Sequence, residues 1–206
     1  MAKRRKVGNL LGLQVLAALL ERPMHPYEMA TVLRERGKEH DLRINWGSLY
    51  TVVQNLEKHE YVEAVETARE GRRPERTTYR ITGAGRAEVL DWMRELVGIP
   101  EREYPRLRTA LSVLGVLPPD QAIGLLRQRL GILDAENAGD EAALKRMTQE
   151  IPRLFVVEAE YYLAIRKAEA DWLRGLIDEL AAGSLDGIDM WRGFHASGQF
   201  DVGEEG

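Results

Sequence analysis

Hydrophobic positions in the first hundred residues follow a helical rhythm, change briefly to a strand rhythm, and then return to the helical one. Residues 8–21 carry Leu10, Leu11, Leu13, Val15, Leu16, Leu19 and Leu20, dense enough to predict a helix buried over much of its circumference. Pro23 and Pro26 punctuate the next turn, and Pro26 suits the first turn of a second helix over residues 26–36, ended by Gly37. A third helix is predicted over residues 46–59, with Leu49, Val52, Val53 and Leu56 spaced three and four apart and Asn45 as N-cap. The period then drops to two. YVEAVET sets Tyr61, Glu63 and Val65 against Val62, Ala64 and Glu66, which predicts a strand. AREGRRPE, with Gly71 and Pro74, makes a hairpin tip, and the β-branched and aromatic RTTYRIT returns as the partner strand. Thr82 is placed to cap a fourth helix carrying Ala87, Val89, Leu90, Met93, Leu96 and Val97.

Beyond Pro100 the chain reads as helical throughout. A segment near 104–116 precedes a helix over 120–134 that Pro118-Pro119 opens. A loop with Gly139 and a short helix through Met147 follow, and Pro152 opens the longest helical stretch, to about residue 182. Along that stretch Ile151, Phe155, Tyr162, Ile165, Trp172, Leu176 and Leu180 recur at nearly heptad spacing, as helix–helix association requires. Phe155, Tyr162, Ile165, Trp172 and Leu176 are therefore expected at a dimer interface. After Gly183 the composition turns Gly- and Asp-rich, a tail in which Trp191 and Phe194 can still dock. The expected class is mainly α with a small two-stranded β wing. Its domains are a winged helix-turn-helix over residues 1–98, a helical dimerisation and effector domain over 99–183, and a tail over 184–206.

Charge refines this division. Net charge is −4 over 206 residues, which argues against nucleic acid as a partner. The distribution of that charge removes most of the objection: residues 1–95 hold 17 Lys+Arg against 14 Asp+Glu, and the remainder holds 12 against 19. A basic half and an acidic half suit two different partners. Cysteine is absent, so disulfides and thiolate chemistry are excluded. The apolar run near residues 10–20 is too short to span a bilayer, no small-residue cleavage site follows it, and a cytoplasmic location is expected.

The third helix brings Asn45, Ser48, Tyr50, Thr51, Gln54 and Asn55 to its first turns. Hydroxyls suit phosphates, and Gln or Asn can read an adenine edge with two hydrogen bonds. An ordinary polar helix face is the competing reading. Beside it, Arg69, Arg72, Arg73 and Arg76 cluster on the hairpin, where guanidinium groups can follow a DNA backbone, although Glu70 and Glu75 dilute the cluster toward a plain solvated charge run. Lys3, Arg4, Arg5 and Lys6 form either a DNA-binding arm or a solubilising terminus; Lys3, Arg4 and Arg5 are taken as DNA contacts. No catalysis, metal or cofactor is expected. His25, His40, His59 and His195 share no ligand spacing, and Gly83-Ala84-Gly85 lacks the third glycine of a dinucleotide fingerprint. Trp92 and Trp172 read first as core, with Trp92 also a candidate contact for a flat aromatic ligand.

The stretches LAALLERPMHPYEM, GSLYTVVQNLEKHEYV and GRRPERTTYRITGAG, together with the looser pattern over residues 10–98, resemble the PadR family of bacterial transcription regulators. The longer C-terminal half is similar to the subfamily with a helical dimerisation domain. The resemblance implies that Tyr27, Ser48 and Tyr50 approach DNA phosphates, that Arg72, Arg73 and Arg76 belong to the wing, and that Tyr79, Ile81 and Thr82 form the wing-to-helix junction. The chain departs from the family pattern at Pro26, Thr51 and Glu60, where glycine, proline and glycine are common. A left-handed cap at Glu60 would be strained. The combined expectation is a homodimeric repressor on a palindromic DNA operator, released by a small aromatic effector. A winged-helix protein–protein adaptor and a small-molecule-binding helical protein without DNA binding are the alternatives. No membrane partner is expected.

Overall fold

The computed structural model describes residues 5–37, 46–68 and 76–197. It divides into two compact units, Met1–Glu103 and Tyr104–Gly206.

The first unit is built from α1 (Leu10–Leu19), α2 (Pro26–Glu35), α3 (Trp46–Lys58), the strands β1 (Val62–Ala68) and β2 (Arg76–Ile81), and α4 (Gly83–Gly98). Helices α1, α2 and α4 start where their capping chemistry directs. The Asn9 side chain accepts from the Leu11 N–H, and Thr82 accepts from Gly85. At α2 His25 and Glu28 form a reciprocal capping box, with Pro26 in the first turn. The α3 stripe reads out as its spacing implies: Leu49, Val52, Val53 and Leu56 are all buried in one core with Leu16, Leu19, Met29 and Leu33. β1 and β2 pair antiparallel from Val62 opposite Ile81 to Ala68 opposite Arg76, and the register shifts between Ala64 and Glu66, which leaves Val65 as a bulge. A further bridge joins Met24 to Tyr79, so the turn before α2 is hydrogen-bonded to β2.

The second unit holds α5 (Arg106–Ser112), a 3₁₀ turn at Leu114–Val116, α6 (Pro119–Glu150), a second 3₁₀ turn at Arg153–Phe155, α7 (Val157–Ala182) and α8 (Ile188–Ala196). Three sequence expectations are corrected here. Residues 119–150 form one continuous helix of 32 residues, with Gly139 inside it and no loop. That helix, and not the one after Pro152, is the longest among those described. The segment taken as a tail contains α8, and Ile188 sits in the helical core. Trp191 donates its indole N–H to the Leu117 carbonyl at 2.9 Å, and His195 Nε2 lies 2.9 Å from the Gly115 carbonyl. An aromatic hydrogen bond and a small apolar anchor thus hold a stretch that composition alone marks as loop.

Helices α6 and α7 form an antiparallel hairpin. Ile123, Leu126 and Leu133 meet Ala170, Leu173, Ile177 and Leu180. Ion pairs run along the seam: Arg129 with Glu169, Lys167 with Glu141 at 2.8 Å, Arg166 with both Glu136 and Asp140, and Arg174 with Asp134. Among the described residues, no helix is long and apolar enough to cross a membrane.

Candidate nucleic-acid interface

Four buried residues on one stripe of α3 leave the opposite stripe to solvent. Gly47, Tyr50, Thr51, Gln54 and Asn55 are exposed there, with Ser48 half-buried at their edge. The Thr51 hydroxyl donates to the Gly47 carbonyl at 3.0 Å, a bond back to the preceding turn that keeps its oxygen at the surface as an acceptor. Two grooves flank this stripe. One, of about 150 Å³, is lined by His25, Pro26 and Tyr27 of the α2 start, Tyr50, Val53 and Gln54 of α3, and Thr77 and Tyr79 of β2. The other, of about 460 Å³, lies between residues 6–9 and Gly47, Ser48, Thr51, Val52 and Asn55.

The strand pair is tied to α3 at several points. Tyr79 hydrogen-bonds Glu57, and its pKa is raised, first by burial and then by the Glu57 charge and hydrogen bond. At the end of α3, Glu60 takes φ of 60°. The Tyr61 N–H donates to the Leu56 carbonyl and the Glu60 N–H to the Glu57 carbonyl, which completes a Schellman motif with glutamate in the position that favours glycine. The backbone therefore adopts the left-handed cap despite the missing glycine. Thr82 then donates its hydroxyl to the Glu60 carbonyl at 2.7 Å, joining the end of β2 to that cap. Helix, cap and strand pair form one hydrogen-bonded assembly.

The predicted contact residues divide among these features. Ser48, Tyr50, Thr51 and Gln54 share the exposed stripe of α3, and Tyr27, 60% exposed, stands at the mouth of the smaller groove beside Tyr50. Lys3, Arg4, Asn45, Arg72 and Arg73 lie outside the described residues, and Arg76 is described only as the first residue of β2.

Arg5 is a correction. Its side chain is 4% exposed, not extended into solvent, and it pairs with Glu88 at 2.7 Å, Asp91 at 3.4 Å and Glu95. These carboxylates recur on one face of α4, and the guanidinium also sits 5.2 Å from the Trp92 ring centroid. Burial works against the charge, but the hydrogen bonds and charges of Glu88 and Glu95 outweigh it and raise the Arg5 pKa. A cation enclosed in this way is committed to its own fold. Trp92 is likewise a core residue, 4% exposed and lining neither groove, because the helix face that carries it packs inward under Arg5. Lys6 and Asn55, which the sequence places in the basic arm and the polar set of α3 but not among the selected contacts, both line the larger groove. The alternation of Arg5, Lys6 and Val7 ahead of the cap Asn9 is the signal that separates Lys6 from Arg5.

Of the residues expected at a dimer interface, all but Leu176 lie apart from the core of their own unit. On α7 the buried stripe is Leu163, Ala170, Leu173, Ile177 and Leu180. Tyr162, Ile165 and Trp172 are exposed on the adjoining stripe, Phe155 is exposed in the preceding 3₁₀ turn, and Leu176 is partly buried. Helix α6 repeats the pattern, with Leu126 and Leu133 buried and Leu125 and Ile132 exposed. On both helices the exposed stripe comes one residue before the buried one, a rotation of about 100°. Because the helices are antiparallel, that rotation carries both exposed stripes to the same side of the hairpin.

A helix with a polar outer stripe, capped into a strand pair and packed on two further helices, defines the winged helix-turn-helix class. Residues 15–91 match the model of the transcriptional regulator PadR-like family. Solved structures with the same fold include Bacillus subtilis PadR in complex with operator DNA, 16% identical with a TM-score of 0.67, covering 83% of this chain and 99% of that one. The same protein in complex with p-coumaric acid is 15% identical with a TM-score of 0.68, over 84% and 99% of the two chains. The Vibrio cholerae virulence activator AphA is 16% identical with a TM-score of 0.62, over 84% and 98%. No curated relative matches the chain in sequence.

Proposed function

We propose that this protein is a cytoplasmic, non-enzymatic transcriptional repressor that binds a palindromic DNA operator as a homodimer. The observation that carries the reading is the α3 stripe of Tyr50, Thr51, Gln54 and Asn55, exposed and fixed beside the strand pair. Such a helix meets base edges with its N-terminal residues, while hydroxyls and cations hold the backbone. The combined apolar face of α6 and α7 supplies the second copy. An exposed patch carrying Trp172, Tyr162, Ile165, Leu125 and Ile132 is costly in an isolated chain and is removed from water by self-association. Two copies would set the half-sites about one helical turn apart. Support for the DNA partner comes from the fold shared with a regulator solved on its operator. The p-coumaric acid complex of that regulator supports a small aromatic effector, which would act by binding better to a geometry unable to hold DNA.

Electrophoretic mobility shift with duplex from upstream of the chain's own gene, run with and without p-coumaric acid, tests this reading. A shifted band lost in the acid's presence is the expected result. Gln54→Ala should bind with relaxed sequence preference, and a variant as selective as the wild type would remove Gln54 from the base-reading set. No shift on any genomic fragment would return the domain to a protein–protein adaptor.

A further inference from the structure

We propose that Lys6 is a DNA-phosphate contact of the α3 interface and that Arg5 is its positioning residue, an inference that rests on the DNA-binding reading above. Side chains in the segment before α1 alternate between the interior and solvent. Arg5 is buried against Glu88, Asp91, Glu95 and Trp92. Val7 is buried in the core, 7% exposed, and a side chain at Gly12 would meet it at 3.1 Å, so Gly12 leaves the room it occupies. Asn9 is fixed as the cap of α1. Lys6 is exposed between these anchors, on the wall of the groove that Gly47, Ser48, Thr51 and Asn55 complete.

Two anchors change what the lysine can do. A lysine on a free terminus loses backbone freedom when it settles on a phosphate, and that loss cancels much of the attraction. Here the backbone on both sides is already held by the fold. The Thr51 proton is committed to the Gly47 carbonyl, so the Lys6 ammonium and the Asn55 amide bring donors to an anion in this groove. A lysine serves such a site as a point charge, independent of base sequence. The basic residue that ordinary charge counting selects, Arg5, is the one the fold consumes. Its neighbour inherits the contact.

Full-length wild type, Lys6→Gln, Arg5→Gln, Arg5→Lys and the double Arg5→Gln/Lys6→Gln variant would be titrated against two duplexes across a salt series. One duplex is the operator fragment and the other is random sequence of equal length; thermal unfolding is recorded for each protein. Lys6→Gln is expected to weaken both duplexes several-fold and lower the salt slope by about 1, with an unchanged Tm. Arg5→Gln is expected to lower Tm and to lower the slope by the same amount. Added to Lys6→Gln, it should lower Tm again but leave the slope where it was. Arg5→Lys, which keeps the charge and loses the fork, should fall between wild type and Arg5→Gln in both readouts. A Lys6→Gln slope equal to wild type would overturn this inference alone. An Arg5→Gln protein that loses Tm but keeps its full slope would overturn the positioning role. Wild type that binds neither duplex would overturn the DNA-binding reading, and this inference with it.

Discussion

At Glu60 the backbone turns left-handed, φ 60°, in a residue whose Cβ opposes that turn. Leu56 and Tyr61 impose it through their hydrogen bond, and the Thr82 hydroxyl locks it from the other side. Glu60→Gly is therefore expected to stabilise the protein by about 1 kcal/mol, read from the midpoint of urea unfolding. Gly85 has the opposite character. A Cβ there would lie 2.1 Å from the Tyr61 carbonyl oxygen and 2.8 Å from Ile81. Neither backbone nor buried isoleucine can yield, so Gly85→Ala should cost about 2–3 kcal/mol, measured by the same titration. Both effects are local in cause, but only the first is visible in the chain. The strain at position 60 follows from a single substitution in a helix-ending pattern. The close approach at Gly85 depends on how β1 passes over α4, which no short window contains. Arg5 defeats sequence reasoning for the same reason: its carboxylates lie 83 to 90 positions away, so a local reading sees a basic run and nothing to neutralise it.

At the scale of the element, α2 shows how a helix start becomes sensitive to acid. Partial burial alone would raise the Glu28 pKa, but the His25 N–H and the Arg22 guanidinium outweigh it and hold the carboxyl below its usual value. Because the folded-state value is the lower one, this contribution is fully present above the unfolded carboxylate's titration and is lost as pH falls through the folded value. Glu28→Gln should accordingly be less stable than wild type by about 0.5–1 kcal/mol at pH 7, and the two should converge on acidification through the lowered Glu28 value in denaturant titrations. Caps of this kind are legible because they are short-range chemistry, as are the α3 stripe and the two strands. Helix α6 is not. Gly139 is unfavourable in a helix by about 1 kcal/mol relative to alanine, which is reason enough to predict a break. What carries the helix through is its partner: Arg166 of α7 pairs with Glu136 and Asp140, bracketing the glycine from across the hairpin. Tertiary pairing outweighs local propensity at that point.

For the whole molecule, the near-heptad pattern of α7 contains two adjacent stripes, and spacing alone does not assign them. The stripe through Leu163, Leu173 and Ile177 is used within the hairpin, leaving Tyr162, Ile165 and Trp172 outside. For the proposed homodimer, replacing Ile165 and Trp172 together by glutamate should leave the fold intact, give a monomer in sedimentation velocity, and weaken binding to its operator at least about tenfold through loss of the paired half-site. A variant that still sediments as a dimer would move the interface elsewhere. The Arg5 clasp also bears on how the chain is made. Arg5 and Glu95 are separated by 90 residues, so at a synthesis rate of about 5–20 residues per second the arginine leaves the ribosome about 5–20 s before its last carboxylate. Until then the winged-helix unit can assemble most of its core, and the segment carrying Lys6 is held by Val7 and Asn9 without its Arg5 clasp. On the proposed Lys6 contact, that part of the surface is completed only when α4 emerges, so vectorial synthesis makes it one of the last features of the unit to mature.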